Sequence, residues 1–285
     1  MRNPAIKMAM GPIAVAAMIA LLPSLVDAAA SSNTIPDLSA DGVAWRNAHN
    51  DFILPSSGPG PVTWDHAHPY FGNGDGRAPT SRVADLTNPI LMPWVRDALK
   101  KLNDDALAGK AQFTPIARCW PNGVPGAILL RLNPLFIVQT AKEVTLLYQS
   151  DHQVRHIYMN VPHSANVHPS WYGESVGHYE GDTLLVDTIG ITPKVAVDYY
   201  LTPHTDKLHV VERYSLVDDG KTLEVKFTVD DAGAFTMPWS ASQRYQKLEG
   251  APMEEVVCAE GEAFAPIQDP QQVLFPIPKA TQLDF

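Results

Sequence analysis

The sequence predicts a mainly β protein, an antiparallel meander of strands that closes into a barrel or half-barrel. Short segments with alternating apolar and polar residues recur between residues 144 and 247, and turn residues separate most of them. Only one stretch has helical periodicity. Sequential antiparallel strands in this number are typical of closed or strongly curved sheets.

The first 30 residues have the pattern of a secretory signal peptide. Arg2 and Lys7 form a positive start, residues 8–26 are apolar apart from Ser24, and an A-x-A pattern ends at Ala30. We expect cleavage near Ala30 and a periplasmic or secreted protein. The alternative is an uncleaved membrane anchor, since the apolar run is close to the length of a bilayer crossing.

The net charge of −10 argues against nucleic acids and anionic membranes as partners. Residues 1–30 hold two of the 21 basic and one of the 31 acidic residues, so the rest of the chain carries about −11. No later segment is long and apolar enough to cross a bilayer. We therefore expect a small-molecule partner, whereas the sequence does not determine the oligomeric state.

Three regions follow the signal segment. Residues 31–80 are rich in Pro and Gly and predict an N-terminal arm, whose aromatic residues should lie partly on the main domain. Residues 81–262 predict that domain, with a helix near residues 89–103 that covers one end of the barrel. Residues 263–285 are Pro-rich and predict a surface tail.

The alternation predicts seven strands within the main domain. They are Val144–Tyr148, Gln153–Met159, Ser175–Glu180, Thr183–Ile189, Leu208–Val217, Thr222–Asp230 and Ser240–Lys247.

A turn at Asp219-Gly220 predicts the orientation of Glu212. Either a two-residue or a four-residue loop leaves Val217 opposite Thr222, which places Glu212 beside the apolar face of the following strand. Glu212 should thus point inward. Because an unpaired buried carboxylate is costly, we expect an Arg or Tyr partner, a raised pKa, or a ligand or catalytic role.

The segment 174–189 predicts a second hairpin with polar residues on one face. Its turn places Ser175 and Tyr179 with the apolar alternate residues, and His178, Glu180 and Asp187 on the other face. If that face is inside, the three side chains form an acid/base site. The apolar character of the Tyr179 face instead favours an ordinary polar surface.

The sequence predicts no cofactor. Its clustered histidines are nevertheless weak candidates for a divalent metal site. His66 and His68 are two residues apart, and His163 and His168 are five apart and flanked by prolines. Histidines from loops can bind zinc or copper. No HExxH helix motif is present, and surface or turn histidines are the alternative. G-x-S-x-G, P-loop and dinucleotide-binding motifs are absent as well.

Cys119 and Cys258 are the two cysteines of the chain. An even number in an exported protein predicts a disulfide bond between them. Two buried free thiols are the alternative.

Residues 155–191 and 203–225 resemble a group of exported bacterial β-rich proteins. The shared segments have the forms SW-G-SVG-EGDTLVVDT-G and LHVVER. The similarity covers about residues 115–262, including the surroundings of both cysteines. It implies an exported β-rich domain and paired cysteines, and it implies no activity, cofactor or catalytic residue.

These observations lead to the hypothesis of an exported binding protein. Barrels of roughly eight strands have room for one small ligand. We expect a small apolar or aromatic molecule in the barrel cavity, near Glu212, Tyr214, Phe227 and Trp171.

Two other functions are consistent with the sequence. One is an acid/base enzyme, a lyase, isomerase or hydrolase in the same cavity, with His178 or His163 as the base and Glu212 or Asp187 orienting it. The other is a structural or interaction protein in which the histidines have no special role.

Overall fold

The computed structural model describes residues 35–39, 42–68, 83–110, 115, 119–130 and 134–256. The predicted signal peptide (1–30), the predicted tail (263–285) and Cys258 lie outside these residues. Processing, the tail and the disulfide bond therefore stay predictions.

The described residues contain one α-helix and nine β-strands. Helix α1 spans Pro93–Leu107. The strands are β1 (Ala44–Asn47), β2 (Leu135–Gln139), β3 (Glu143–Tyr148), β4 (Gln153–Met159), β5 (Glu174–Glu180), β6 (Thr183–Ile189), β7 (His209–Val217), β8 (Thr222–Asp230) and β9 (Trp239–Leu248).

The nine strands close into a barrel in chain order, with β1 between β2 and β9, as the barrel prediction expected. Every neighbouring pair is antiparallel except β4 and β5, which run parallel. A parallel pair needs a connection that returns along the barrel, and residues 160–173 supply it. Alternation of apolar residues predicts strands and faces but not direction, so this departure from a pure meander was not predicted.

Both predicted hairpin registers are confirmed. Val217 pairs with Thr222, and the turn residues Asp218, Asp219 and Gly220 adopt positive φ values of 53°, 55° and 76°. Such turns favour Gly, which has no Cβ, and Asn and Asp, which adopt left-handed backbone more readily than other residues. In the β5–β6 hairpin the apolar face packs inside, so the polar face of the hairpin is the outer one.

Strands β1 and β2 were not predicted. β1 is too short for a period of two to be recognised, yet Trp45 is fully buried and donates through Nε1 to the carbonyl of Leu38, at 2.8 Å. β2, with the sequence LFIVQ, is a continuous apolar run without alternation, because Phe136 and Val138 remain apolar on the outer face. The N-terminal segment also places Phe52 in the core, edge-on to Phe227.

Helix α1 begins four residues later than predicted, with Pro93 in the first turn rather than Pro89. It packs through Val95, Leu99 and Asn103. The Asn103 amide exchanges two hydrogen bonds with the backbone of Ala84, at 2.8 and 2.9 Å. In the part of the chain that is described, no helix is long and apolar enough to cross a membrane.

A buried ion pair lies inside the barrel. The Arg155 guanidinium donates to both carboxylate oxygens of Glu212, at 2.9 and 2.5 Å, and these side chains are 1% and 0% exposed. Arg155 also donates to the hydroxyls of Ser175 and Thr188, and Tyr214 donates to Glu212 at 2.8 Å. The prediction that Glu212 points inward to an Arg or Tyr partner is confirmed.

Replacing Arg155 by Met should lower the free energy of unfolding by about 3–5 kcal/mol, because it leaves the Glu212 carboxylate buried without its cation. The additional change Glu212→Leu should recover most of that loss. Urea unfolding of the single and double variants measures both effects.

The exposed pair Arg213–Glu180 supplies the control. Its side chains are 49% and 48% exposed and lie 2.8 Å apart, so Arg213→Met should cost at most about 1 kcal/mol. Equal losses for Arg155→Met and Arg213→Met would contradict the structural role of the buried pair.

Candidate functional site

The barrel wall has an opening where β4 and β5 separate. The first bridged residues are Ile157 of β4 and Ser175 of β5. The preceding residues of β4 pair with β3 on one side only, and the connection 160–173 lies across from their other side. The parallel arrangement thus creates a site that an antiparallel hairpin would have closed.

A groove of about 440 Å³ occupies this opening, and we call it the wall groove. Strand β4 presents Val154, His156 and Tyr158, the connection presents His168 and Trp171, and β5 presents Glu174 at its start. Arg155 and Ser175 reach the groove from the barrel interior. The volume lies within the range of about 300–1,000 Å³ that is usual for small-molecule sites.

Aromatic side chains form much of the wall groove. Tyr158 is 47% exposed on the strand side. Trp171 is half-buried on the other side. Its ring centroid lies 5.4 Å from that of Trp120 and 5.9 Å from the Lys194 ammonium nitrogen. Tyr172 stacks on the buried Tyr148 at 6.0 Å and donates to Gln153 Oε1. These contacts hold the Trp171 and Tyr172 side chains in place before any ligand binds.

A hydrogen-bonded chain of four side chains begins at one end of the groove, and we call it the His–carboxylate chain. Glu174 accepts from His163 Nδ1 at 3.0 Å, and His163 Nε2 lies 3.0 Å from Asp187 Oδ1. The same oxygen lies 2.9 Å from His209 Nε2. Both nitrogens of His163 can donate together only when its ring is protonated.

Glu174 anchors the connection to the barrel wall. Its Oε1 accepts from the Ser164 N–H at 2.7 Å, and its Oε2 accepts from the Ser164 hydroxyl at 2.5 Å. The two Ser164 hydrogen bonds, followed by His163, hold the pKa of the Glu174 carboxyl below its ordinary value of 4.5. Ser164 and Glu174 line the groove, whereas His163 does not and reaches it only through its hydrogen bond to Glu174.

The other predicted residues lie elsewhere. Tyr214 and Phe227 belong to the packed interior, where they are 2% and 3% exposed. Glu212 lies beneath the groove and touches it only through Arg155. His178 is on the outer face, 3.4 Å from Glu180, and is not a groove residue. Of the predicted residues, Trp171 and His168 line the wall groove, and His163 and Asp187 adjoin it.

The histidines do not form a metal site among the described residues. No group of three or more His, Cys, Asp or Glu side chains within them has a suitable arrangement. His66 packs edge-on against Trp64, and His68 pairs with Asp65 at 2.8 Å. The two members of each predicted pair thus have different partners. In the second pair His163 is held by carboxylates, whereas His168 lines the groove.

No protein-family model matches the chain, and no curated protein matches it. The geometry of the site is therefore the basis for proposing a function.

Sequence reasoning did not identify Ser164, Glu174 and His209 as one cluster. The strand parity already placed Glu174 and Asp187 on the same face, so a search for histidines near both ends of this hairpin would have found His163 and His209. Arg155 carried no comparable signal, because its neighbour across the barrel wall depends on the parallel pairing.

Replacing Glu174 by Gln should loosen the connection 160–173, because the charged acceptor of Ser164 and His163 is lost. Hydrogen exchange at the Ser164 amide should become at least several-fold faster. In the unmodified chain the same protection should be present above pH 4.5, the ordinary pKa, and disappear as the pH falls through the lowered pKa of Glu174.

Glu180→Gln is the matched control. Glu180 lies on the same strand and outer face, its pKa is also lowered, and Arg213 rather than the connection is its main partner. Faster exchange at Ser164 in both variants would show that Glu174 has no special anchoring role.

Proposed function

We propose that the protein binds a small, partly aromatic molecule in the wall groove. The main observation is that a 440 Å³ groove combines two fixed aromatic side chains, Trp171 and Tyr172, and the exposed Tyr158 ring with polar side chains at one end. An aromatic ligand between Tyr158 and Trp171 would gain both area burial and ring contacts. The groove replaces the barrel interior as the proposed location, since Tyr214 and Phe227 are packed among other side chains.

Polar selectivity comes from side chains that have no other partner. Asn166 and His168 line the groove, and among the described residues neither makes a hydrogen bond. An amide and an imidazole each offer a donor and an acceptor. The ligand that suits this groove therefore has an aromatic body and a polar group at one end.

In this proposal the protein acts outside the cytoplasm. The signal-peptide pattern of residues 1–30 supports that location. Binding a small molecule there needs no nucleic acid, membrane or metal partner.

An acid/base enzyme in the same groove is the second candidate. The observation that favours it is the His–carboxylate chain, which reaches the groove through Glu174 and Ser164. In such an enzyme Asp187→Asn would abolish turnover while leaving ligand affinity within a few-fold of normal, because the Glu174–Ser164 hydrogen bonds that hold the connection remain. Mass spectrometry of a ligand recovered after incubation distinguishes an altered from an unaltered molecule.

Trp171→Ala should weaken the binding of phenylnaphthylamine, a neutral aromatic fluorophore, at least tenfold, because one aromatic wall is removed. The increase of probe fluorescence on titration measures the affinity.

Trp94→Ala is the control, since Trp94 is an exposed residue of α1 whose indole donates to the carbonyl of Gly233, away from the groove. Equal affinity of Trp171→Ala and the unmodified protein would leave the groove without support as the binding site.

A further inference from the structure

A second, smaller pocket lies away from the wall groove. It has a volume of about 160 Å³ and lies between the N-terminal segment 51–64 and the β6–β7 connection at residues 198–200. The two cavities share no lining residue. Asp51, Phe52, Trp64, Asp198 and Tyr200 are among the residues that line it.

Asp198 has one carboxylate oxygen without a hydrogen bond. The side chain is 6% exposed, and its Oδ1 accepts from the N–H groups of Tyr200 and Thr202, at 2.9 and 3.1 Å. Oδ2 is buried and has no partner. The Thr202 side chain is close enough to lower the pKa of Asp198, but its Oγ1 likewise makes no hydrogen bond of normal geometry. Buried polar atoms are normally paired, so Oδ2 is the oxygen left for a ligand.

A second carboxylate adds to the negative charge of this pocket. Asp51 also lines it, and its closest described partner is the Tyr200 hydroxyl at a long 3.5 Å. No Lys, Arg or His residue is among the described lining residues. Burial, with a smaller contribution from Asp51, raises the pKa of Asp198 to about 6, and burial raises the pKa of Asp51. Both shifts are the response of carboxyls that lack a neighbouring cation.

Aromatic side chains surround these carboxylates. Phe52, Trp64, Tyr199 and Tyr200 line the same space. The faces of such rings attract ammonium groups, and sites that combine them with carboxylates suit organic cations. A calcium ion would need six to eight oxygen ligands, and the described residues offer no group of three acidic or histidine side chains here.

We propose that this pocket binds a small organic cation, a quaternary ammonium group, between Asp198 Oδ2, Asp51 and the aromatic side chains. The cation supplies the charge that the two carboxylates lack. Its apolar substituents replace water against the rings, and the small volume limits the ligand to a few carbon atoms.

Calorimetric titration with tetramethylammonium chloride at pH 8 tests the proposal. The unmodified protein should bind one equivalent, and Asp198→Asn and Asp51→Asn should each weaken binding at least tenfold. Asparagine keeps the Oδ1 acceptor for Tyr200 and Thr202, so the turn should persist, and thermal unfolding verifies this. Asp97→Asn, on the exposed surface of α1, makes the same change in net charge and should bind normally.

The pH dependence supplies an independent readout. The titratable groups that line the pocket are Asp51, Asp198, Tyr199 and Tyr200. Protonation of Asp198 removes its charge, so affinity should be full above pH 7 and fall as the pH drops through about 6.

Four outcomes would overturn the proposal, and the first three concern tetramethylammonium and its neutral analogue. They are no binding of tetramethylammonium to the unmodified protein, equal binding by Asp198→Asn, and equal affinity for tert-butanol, a neutral molecule of similar shape. Binding of calcium in place of the ammonium ion would do so as well.

Discussion

The guanidinium group of Arg155 is the constraint on which the barrel depends. A charged group inside a protein must have its hydrogen-bond donors matched by acceptors from the surrounding structure. Here the acceptors come from three different strands, through Ser175 on β5, Thr188 on β6 and Glu212 on β7. One side chain of β4 thus specifies the relative positions of three other strands.

The same group connects the interior to the groove. β4 and β5 are bridged only from Ile157 and Ser175 onward, so the backbone ladder does not hold the two strands together at the start of β4. The Arg155–Ser175 hydrogen bonds link these two neighbouring strands on the inner face at this level. The groove can therefore remain open without loss of barrel closure, since side chains replace the missing ladder.

Several features of this fold were predictable from local pattern. A period of two residues and a turn rich in Asp and Gly were enough to orient Glu212, because hairpin geometry links turn, register and face. The same reasoning placed Asp187 on the polar face of its hairpin, and the apolar character of the opposite face favoured the outside for it. These predictions concern residues that are close in the sequence.

Contacts that depend on the order and direction of distant strands were not predictable. Arg155 is 57 residues from Glu212, and their contact requires the parallel β4–β5 pair. His163 reaches Asp187 only because the connection 160–173 folds back over the wall. The short β1 and the non-alternating β2 carried too little pattern to be recognised. The pocket at Asp198 depends on packing between segments far apart in the chain.

The groove and the Asp198 pocket differ in how far their polar groups are satisfied. At the groove, Glu174 already has hydrogen bonds from Ser164 and His163, so its charge mainly supports the connection. At the pocket, the carboxylate of Asp198 is held by the backbone on one side and unpaired on the other. The wall groove should therefore recognise a ligand mainly by its shape and aromatic contacts, and the Asp198 pocket mainly by its charge.

The crossover between β4 and β5 supplies much of the groove surface, whereas the nine strands form the barrel that supports it. Asn160 and Ser170 hydrogen-bond to the backbone of Gly177 and of residues 190–192, whereas residues 161–169 lie outside the strand ladder. A longer or shorter crossover between those two residues would therefore leave every strand register unchanged. Sequence change in this segment can therefore alter the size and chemistry of the groove while the barrel keeps its stability. Proteins built on this plan could diverge in ligand preference by exchanging a single surface loop.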